Sequence, residues 1–275
     1  VRVLVLTAIL LGGCGALDFE GAPEGSNSLL AVLRPPPPGQ AARWAINPDN
    51  PDERYRGTLM LANSPFGGEE LYLQLYRDAV NDPAPNVRSA GVRGLANHGT
   101  PEDAALIVDR LTDEDRNVRL EAARGLQRLH NPVAIDALIR AIDEEQGDPD
   151  ADVRAEAADA LGQYAERRVV LPLVGALADS SLVVNRNAAR SLHTLTGQDF
   201  GFDRRAWTEW YEGTSDLFAG RSAYVYPVFW RAKRWWEYIP FVPPPPNEPE
   251  ASPAGFPPIR PSHATEPQPG DTGAG

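Results

Sequence analysis

The feature that most constrains this chain is a segment that returns four times: "DPAPNVRSAGVRGL" from Asp82, "DEDRNVRLEAARGL" from Asp113, "DPDADVRAEAADAL" from Asp148 and "DSSLVVNRNAARSL" from Asp179. Each copy has Asp, Val five positions on, and Leu eight positions after that Val. The valines, Val87, Val118, Val153 and Val184, lie 31, 35 and 31 residues apart, the long interval carrying an extra acidic stretch around Glu144–Gly147. A fixed period in the thirties marks a stacked helical array, in which each unit buries its apolar face only against its neighbours.

Within a copy the spacing is helical. Val, a small residue four later (Gly91, Ala122, Ala157, Ala188), another at seven (Gly94, Gly125, Ala160, Ser191) and Leu at eight share one face. Small side chains on that stripe let neighbouring helices approach closely. The leading Asp suits an N-cap, and Pro83 and Pro149 suit the first helical position. Arg88, Arg119 and Arg154 follow the valines. They are expected to reach either the preceding aspartate or the next one, so that Asp82, Asp113, Asp148 and Asp179 join them in an ion-pair ladder. A second helix follows each first one: "TPEDAALIVDRL" with Thr100 as cap, "NPVAIDALIRAI" with Asn131, and "RRVVLPLVGAL", expected to start or kink at Pro172.

The ends deviate. "DERYRGTLMLA" keeps Gly57 and Leu61 in register but has Glu53 for the valine, and reads as a divergent first repeat. Downstream, Asn185 replaces the arginine and "TGQDFGFDRRAWTEWYEG" brings Trp207 and Trp210, which would cap the apolar end of the stack or, alternatively, form an aromatic binding site. These units, with D-x-x-x-x-V-R-x-x-A, resemble HEAT repeats of the type found in bacterial phycobilin lyases, over roughly Asp52 to Gly213. The resemblance implies an all-α fold, an α-solenoid of about five two-helix HEAT-like repeats; the proline tracts that flank it read as extended segments on both sides. It implies little about function, because such repeats serve scaffolds, adaptors and a few enzymes.

"VLTAILLGGCGALDFE" holds Cys14, the one cysteine of the chain. Arg2, an apolar run from Val3 to Leu11 and the small residues Gly12-Gly13 precede it, and the run is too short to span a bilayer. The pattern resembles the lipobox of bacterial lipoproteins. That resemblance implies a signal peptide at 1–13, cleavage before Cys14, lipid on its thiol, and a cell-envelope location facing the periplasm or exterior. The acylated chain would be a membrane anchor. Residues 14–50, with "RPPPPG", read as a lipidated, proline-rich spacer of polyproline II character leading to the solenoid at 51–215.

Residues 216–242 carry the densest aromatic and basic content. Tyr224, Tyr226, Phe229, Trp230, Arg231, Arg234, Trp235 and Trp236 are candidate contacts to a partner or a membrane. Packing back onto the array is an equally open reading, because residues 51–215 carry 18 Arg against 28 acidic residues. Residues 243–275, rich in proline, read as a disordered tail.

No arrangement for chemistry is apparent. The four histidines, His98, His130, His193 and His263, form no pair with metal-site spacing. His98 and His130 sit where they would meet the dipoles of their own helices. A single cysteine excludes an internal disulfide and multi-cysteine metal sites. The net charge of −12 argues against nucleic acid as a partner. The expectation is a membrane-tethered, non-catalytic scaffold or adaptor without cofactor or metal, binding a protein of unknown identity. An envelope spacer touching membrane through its Trp-rich segment, or a lyase-like chromophore-handling protein, are the alternatives.

Overall fold

A computed structural model of the protein describes residues 37–226 and 251–257. The chain divides after Pro38, and the unit that follows, Gly39–Gly275, contains the array. Its helices are α1 (Pro38–Ala45), α2 (Pro51–Ala62), α3 (Glu70–Ala79), α4 (Pro85–His98), α5 (Ala104–Asp109), α6 (Arg116–Gly125), α7 (Ile135–Ala141), α8 (Ala151–Leu161), α9 (Arg167–Ala176), α10 (Leu182–Thr196) and α11 (Arg204–Gly213). From α2 onward they form five two-helix units. The first helices α2, α4, α6, α8 and α10 contact one another in sequence, and the second helices pack beside them.

The repeated face makes the core. Val87, Val118, Val153 and Val184, with Leu95, Leu126, Leu161 and Leu192, are buried in register, and Gly91, Ala122, Ala157 and Ala188 lie buried between them. Two glycines are demanded by close approach. A Cβ on Gly94 would collide with the Tyr76 ring, and one on Gly57 would collide with the backbone of Ala41 and Ala45. The second contact seats α1 on α2, so the stretch read as the end of an extended spacer is helical from Pro38 to Ala45, with Ala41 and Ala45 buried. Its opening proline misled the reading, since proline is tolerated in a first helical turn.

The repeat aspartates are not N-caps. Asp115 and Asp150 cap α6 and α8, whereas Ala84 and Ser181 occupy the cap position of α4 and α10 without a side-chain bond. Asp82, Asp113, Asp148 and Asp179 lie two residues before each cap and accept a hydrogen bond from its backbone N–H, at 2.8, 2.9, 2.8 and 2.7 Å. Pro83 and Pro149 therefore precede the helices, and Pro85 is the proline inside the first turn of α4. The helix α9 begins at Arg167 and carries Pro172 in its interior.

With one carboxylate oxygen used for this turn, each aspartate gives both oxygens to an arginine of the preceding repeat. Arg88 reaches Asp113 (2.7 and 2.9 Å), Arg119 reaches Asp148 (2.6 and 3.3 Å) and Arg154 reaches Asp179 (2.7 and 3.0 Å). The remaining guanidinium nitrogen donates to backbone carbonyls beside the arginine's own repeat aspartate, such as Asp82 and Pro83 for Arg88. Arg54 makes an equivalent rung to Asp82, at 2.7 and 3.0 Å. Sequence reasoning overlooked it because Glu53 breaks the Val-Arg pair, although Arg54 stands in register. Such bidentate pairs are among the stronger charge-assisted hydrogen bonds.

A stretch of the proline-rich tail also packs on the array. Residues 251–257 run beside the end of α6, where Ala254 exchanges hydrogen bonds with the carbonyl of Arg128 and the N–H of His130, both at 2.8 Å. Pro253 is buried, and Phe256 meets the His130 ring edge-on at 5.3 Å.

Candidate functional site

Among the described residues three clefts open between alternate helices, and they share repeat positions. The first, about 450 Å³, lies between α1 and α3, lined by Ala42 and Ile46 on one side and Leu75, Asp78 and Ala79 on the other. The second, about 400 Å³, lies between α5 and α7, with Val108, Asp109, Ala137, Arg140 and Ala141. A third, about 510 Å³, lies between α7 and α9, with Ile139, Ile142, Pro172, Gly175 and Ala176. Ala79, Ala141 and Ala176 occupy the same place in their repeats, and a ladder aspartate (Asp82, Asp148, Asp179) lines each cleft.

The equivalent position between α3 and α5 holds Arg110. Its Nη1 donates to the Val80 carbonyl at 3.1 Å and lies 3.9 Å from Asp113, so this side chain occupies the space the alanines leave open. Its Nε is buried without a hydrogen-bond partner. Alanine at this position reads in the sequence as one more small helical residue. Only the contrast with Arg110 signals the cleft.

A second group of contacts fastens the chain after α11. Leu217 and Tyr224 are buried, and Ser222 donates its N–H to the Thr194 carbonyl at 2.9 Å. The Tyr224 hydroxyl donates to Asp159 Oδ1 at 3.0 Å, and Arg190 pairs with the other oxygen. Burial pushes the Asp159 carboxyl up despite the opposing Arg190 charge and Tyr224 hydrogen bond. Tyr226 lies under the Arg128 guanidinium at 5.0 Å. Of the candidate contacts named from the sequence, these two tyrosines thus pack on the array. Phe229, Trp230, Arg231, Arg234, Trp235, Trp236 and Cys14 lie outside the described residues.

Replacing Tyr224 by Phe is expected to destabilise the protein by about 1–3 kcal/mol, because a buried carboxylate loses a donor. Urea denaturation checks this. A loss below about 0.5 kcal/mol would show that the hydroxyl contributes nothing net.

His98, in the last turn of α4, and His130 both bond to neighbouring repeats. His98 Nε2 donates to the carbonyl of Ala62, the last residue of α2, at 2.9 Å. His130 Nδ1 meets Gln163 Oε1 at 3.1 Å and its ring stacks on Tyr164 at 4.9 Å. Burial, more than the nearby Arg221 charge, pushes His130 below its ordinary value. At the end of the stack Trp207 is buried, edge-on to Phe200 and Trp210 at 4.9 and 5.9 Å.

The fold and its repeated clefts define a helical-repeat solenoid. The HEAT-repeat family profile matches residues 73–148 and 145–200, and this part of the chain is built of HEAT repeats. Among solved structures the chain is similar to the complex of CpcE and CpcF of phycocyanin lyase from Nostoc sp. PCC7120. The identity is 21%, the TM-score 0.53, and the match covers 63% of this chain and 68% of that one. It also aligns with the Escherichia coli protein YibA, at 23% identity and TM-score 0.47, covering 57% of this chain and 59% of that one. A designed armadillo repeat protein aligns at 17% identity and TM-score 0.45, covering 64% of this chain and 87% of that one. No curated protein matches the sequence significantly.

Proposed function

We propose that the protein is a non-catalytic scaffold that holds an extended segment of a partner protein along its row of second helices, tethered to a membrane of the cell envelope by lipid on Cys14. One observation carries the binding part: alanine at one repeat position leaves equivalent clefts of about 400–510 Å³ where Arg110 fills its own. A stack leaves long parallel ridges and grooves outside its core, a geometry suited to an extended polypeptide. The tether rests on the lipobox resemblance around Cys14.

The test fills the clefts with the side chain the array already accommodates. The full-length chain is isolated from crosslinked, detergent-solubilised membranes of its own cells, beside an Ala141→Arg/Ala176→Arg variant and a Cys14→Ser variant. We expect a stoichiometric companion with the native chain, lost in the arginine variant although its helicity and melting temperature are retained. The Cys14→Ser protein is expected in the soluble fraction. A companion held equally by the arginine variant removes the clefts from the interface, and a Cys14→Ser protein that stays in the membranes removes the tether.

A further inference from the structure

The described residues of the C-terminal chain pass beside the ends of the first helices twice. On the first pass, Ser222 gives its N–H and its hydroxyl to the Thr194 carbonyl, at 2.9 and 3.3 Å, and Tyr224 reaches Asp159. On the second, Ala254 gives its N–H to the Arg128 carbonyl at 2.8 Å. Thr194 and Arg128 hold the same place in their repeats, two residues after the buried leucines Leu192 and Leu126. The passes meet where the Tyr226 N–H donates to the Ala251 carbonyl at 3.3 Å. Gly255, with a left-handed φ of 80°, then lies so close to Pro101 of the preceding unit that a Cβ would collide with it.

His130 receives the second pass with its backbone and its ring. Its N–H donates to the Ala254 carbonyl at 2.8 Å, and its ring meets Phe256. Gln163 fixes the tautomer. Its amide nitrogen donates to the carbonyls of Leu126 and Ala160, at 2.7 and 3.1 Å, so its Oε1 is left to accept from His130 Nδ1. Nε2 is then the bare nitrogen of a neutral imidazole, and among the described residues it meets no hydrogen-bond partner. A proton taken up there would find no acceptor while the second pass covers the ring.

The neighbouring charges resist such a proton more than they welcome it. Arg221, on the first pass, lies over the same Phe256 ring at 5.1 Å and opposes a charged His130. Arg128, on the same turn as His130, holds Tyr226 at 5.0 Å and Asn97 at 2.7 Å. Glu166, which follows Tyr164, favours the charged ring. Burial is the largest influence and, with Arg221, outweighs Glu166 and the Gln163 hydrogen bond, which leaves His130 below its ordinary value. The first pass is built in the opposite sense. Burial holds Asp159 above its ordinary value against Arg190 and Tyr224, so that mild acid neutralises a carboxylate that was costly to bury.

We propose that Ala251–Pro257 is a latch that acid opens: a proton on His130 Nε2 frees this stretch from the end of α6 and from Pro101, while Ser222–Tyr226 stays fastened. The closed form binds the proton less readily than the open one. Closure is therefore complete above the ordinary histidine range and is lost as the pH falls through that range toward the lowered value.

Hydrogen exchange of the full-length chain, corrected for intrinsic rates, reads the latch at the Ala254 and His130 amides, with α8 as the internal reference. Between about pH 7.5 and about pH 5, protection at those two amides is expected to fall by about fivefold or more, and that of α8 by less than about twofold. His130→Gln, which keeps a donor for Gln163 and takes up no proton, should make the two amides indifferent to pH. Ala254→Pro removes the donor to the Arg128 carbonyl and opens the latch without altering the His130 side chain. By linkage, the His130 ring followed by NMR should then titrate closer to the ordinary value than in the native chain. Should His130→Gln fail to fold, Ala254→Pro decides alone. Protection unchanged by pH, an equal fall in α8, the same fall in His130→Gln, or a His130 titration unmoved by Ala254→Pro each overturns the latch.

Discussion

Replacing Arg154 by Met is expected to lower stability by about 3–5 kcal/mol, the cost of leaving a buried charge unpaired. The Arg154 and Asp179 side chains are only 6% and 1% exposed, so water cannot take the place of the guanidinium. The variant loses the two bonds to Asp179 and the 2.9 Å bond to the Asp148 carbonyl, and Asp179 keeps only the Ser181 N–H. Adding Asp179→Leu to Arg154→Met should recover part of the loss, because an apolar pair carries no stranded charge.

The pH dependence has a definite sign. Burial pushes the Asp179 carboxyl up, but the Arg154 and Ser181 hydrogen bonds and the Arg154 charge together outweigh it and hold the group below its ordinary value. A depressed carboxylate contributes stability that is present above the ordinary carboxylate range and lost as the pH falls through the lowered value. Without Arg154, burial dominates and the carboxyl takes up a proton on mild acidification. The gap between native and variant urea midpoints should therefore narrow from pH 7 toward pH 4. A loss below about 1 kcal/mol, or a gap constant with pH, would refute the assignment of a buried rung.

Trp207→Ala should cost about 3–5 kcal/mol, with a consequence that is local in kind. Trp207 is 1% exposed, holds Phe200 and Trp210 edge-on, and donates its indole N–H to the Gly201 carbonyl at 3.1 Å. The helix it anchors, α11, packs on α9. In a stack where units interact with nearest neighbours, removing an end weakens that end first. Amide exchange should accelerate in α10 and α11 while α4 and α6 keep their protection. Uniform acceleration through all five units would mean that the array melts as one body.

The repeat, its helical face and the residues it buries were legible because Val, small, small and Leu recur at spacings that only a helix brings together. The position of the aspartates was not, since an Asp bonded two residues on and an Asp capping a helix look alike in sequence. The second aspartate of "DED" and of "DPD" is the true cap, Asp115 and Asp150. Packing of residues 251–257 left no periodic signal, because Pro253, Ala254 and Phe256 touch the array through backbone bonds and single contacts. The clefts were invisible for another reason. An alanine that opens space and an alanine that merely tolerates a helix are the same letter until a neighbour such as Arg110 shows what the space can hold.

The ladder also has two unequal ends. In the first unit the place of the aspartate is taken by Pro48, whose carbonyl accepts from Arg54 at 3.2 Å. In the last, Asn185 replaces the arginine and turns its amide to the Leu177 carbonyl at 2.5 Å. Every internal unit offers an arginine forward and an aspartate backward, and an interface of that polarity, repeated between molecules, builds rings where its rotation closes and open filaments where it does not. Proline at one end and asparagine at the other leave the outermost units with neither half of the rung to offer a second copy. A directional zipper that could join molecules head to tail is thereby confined to joining repeats within one.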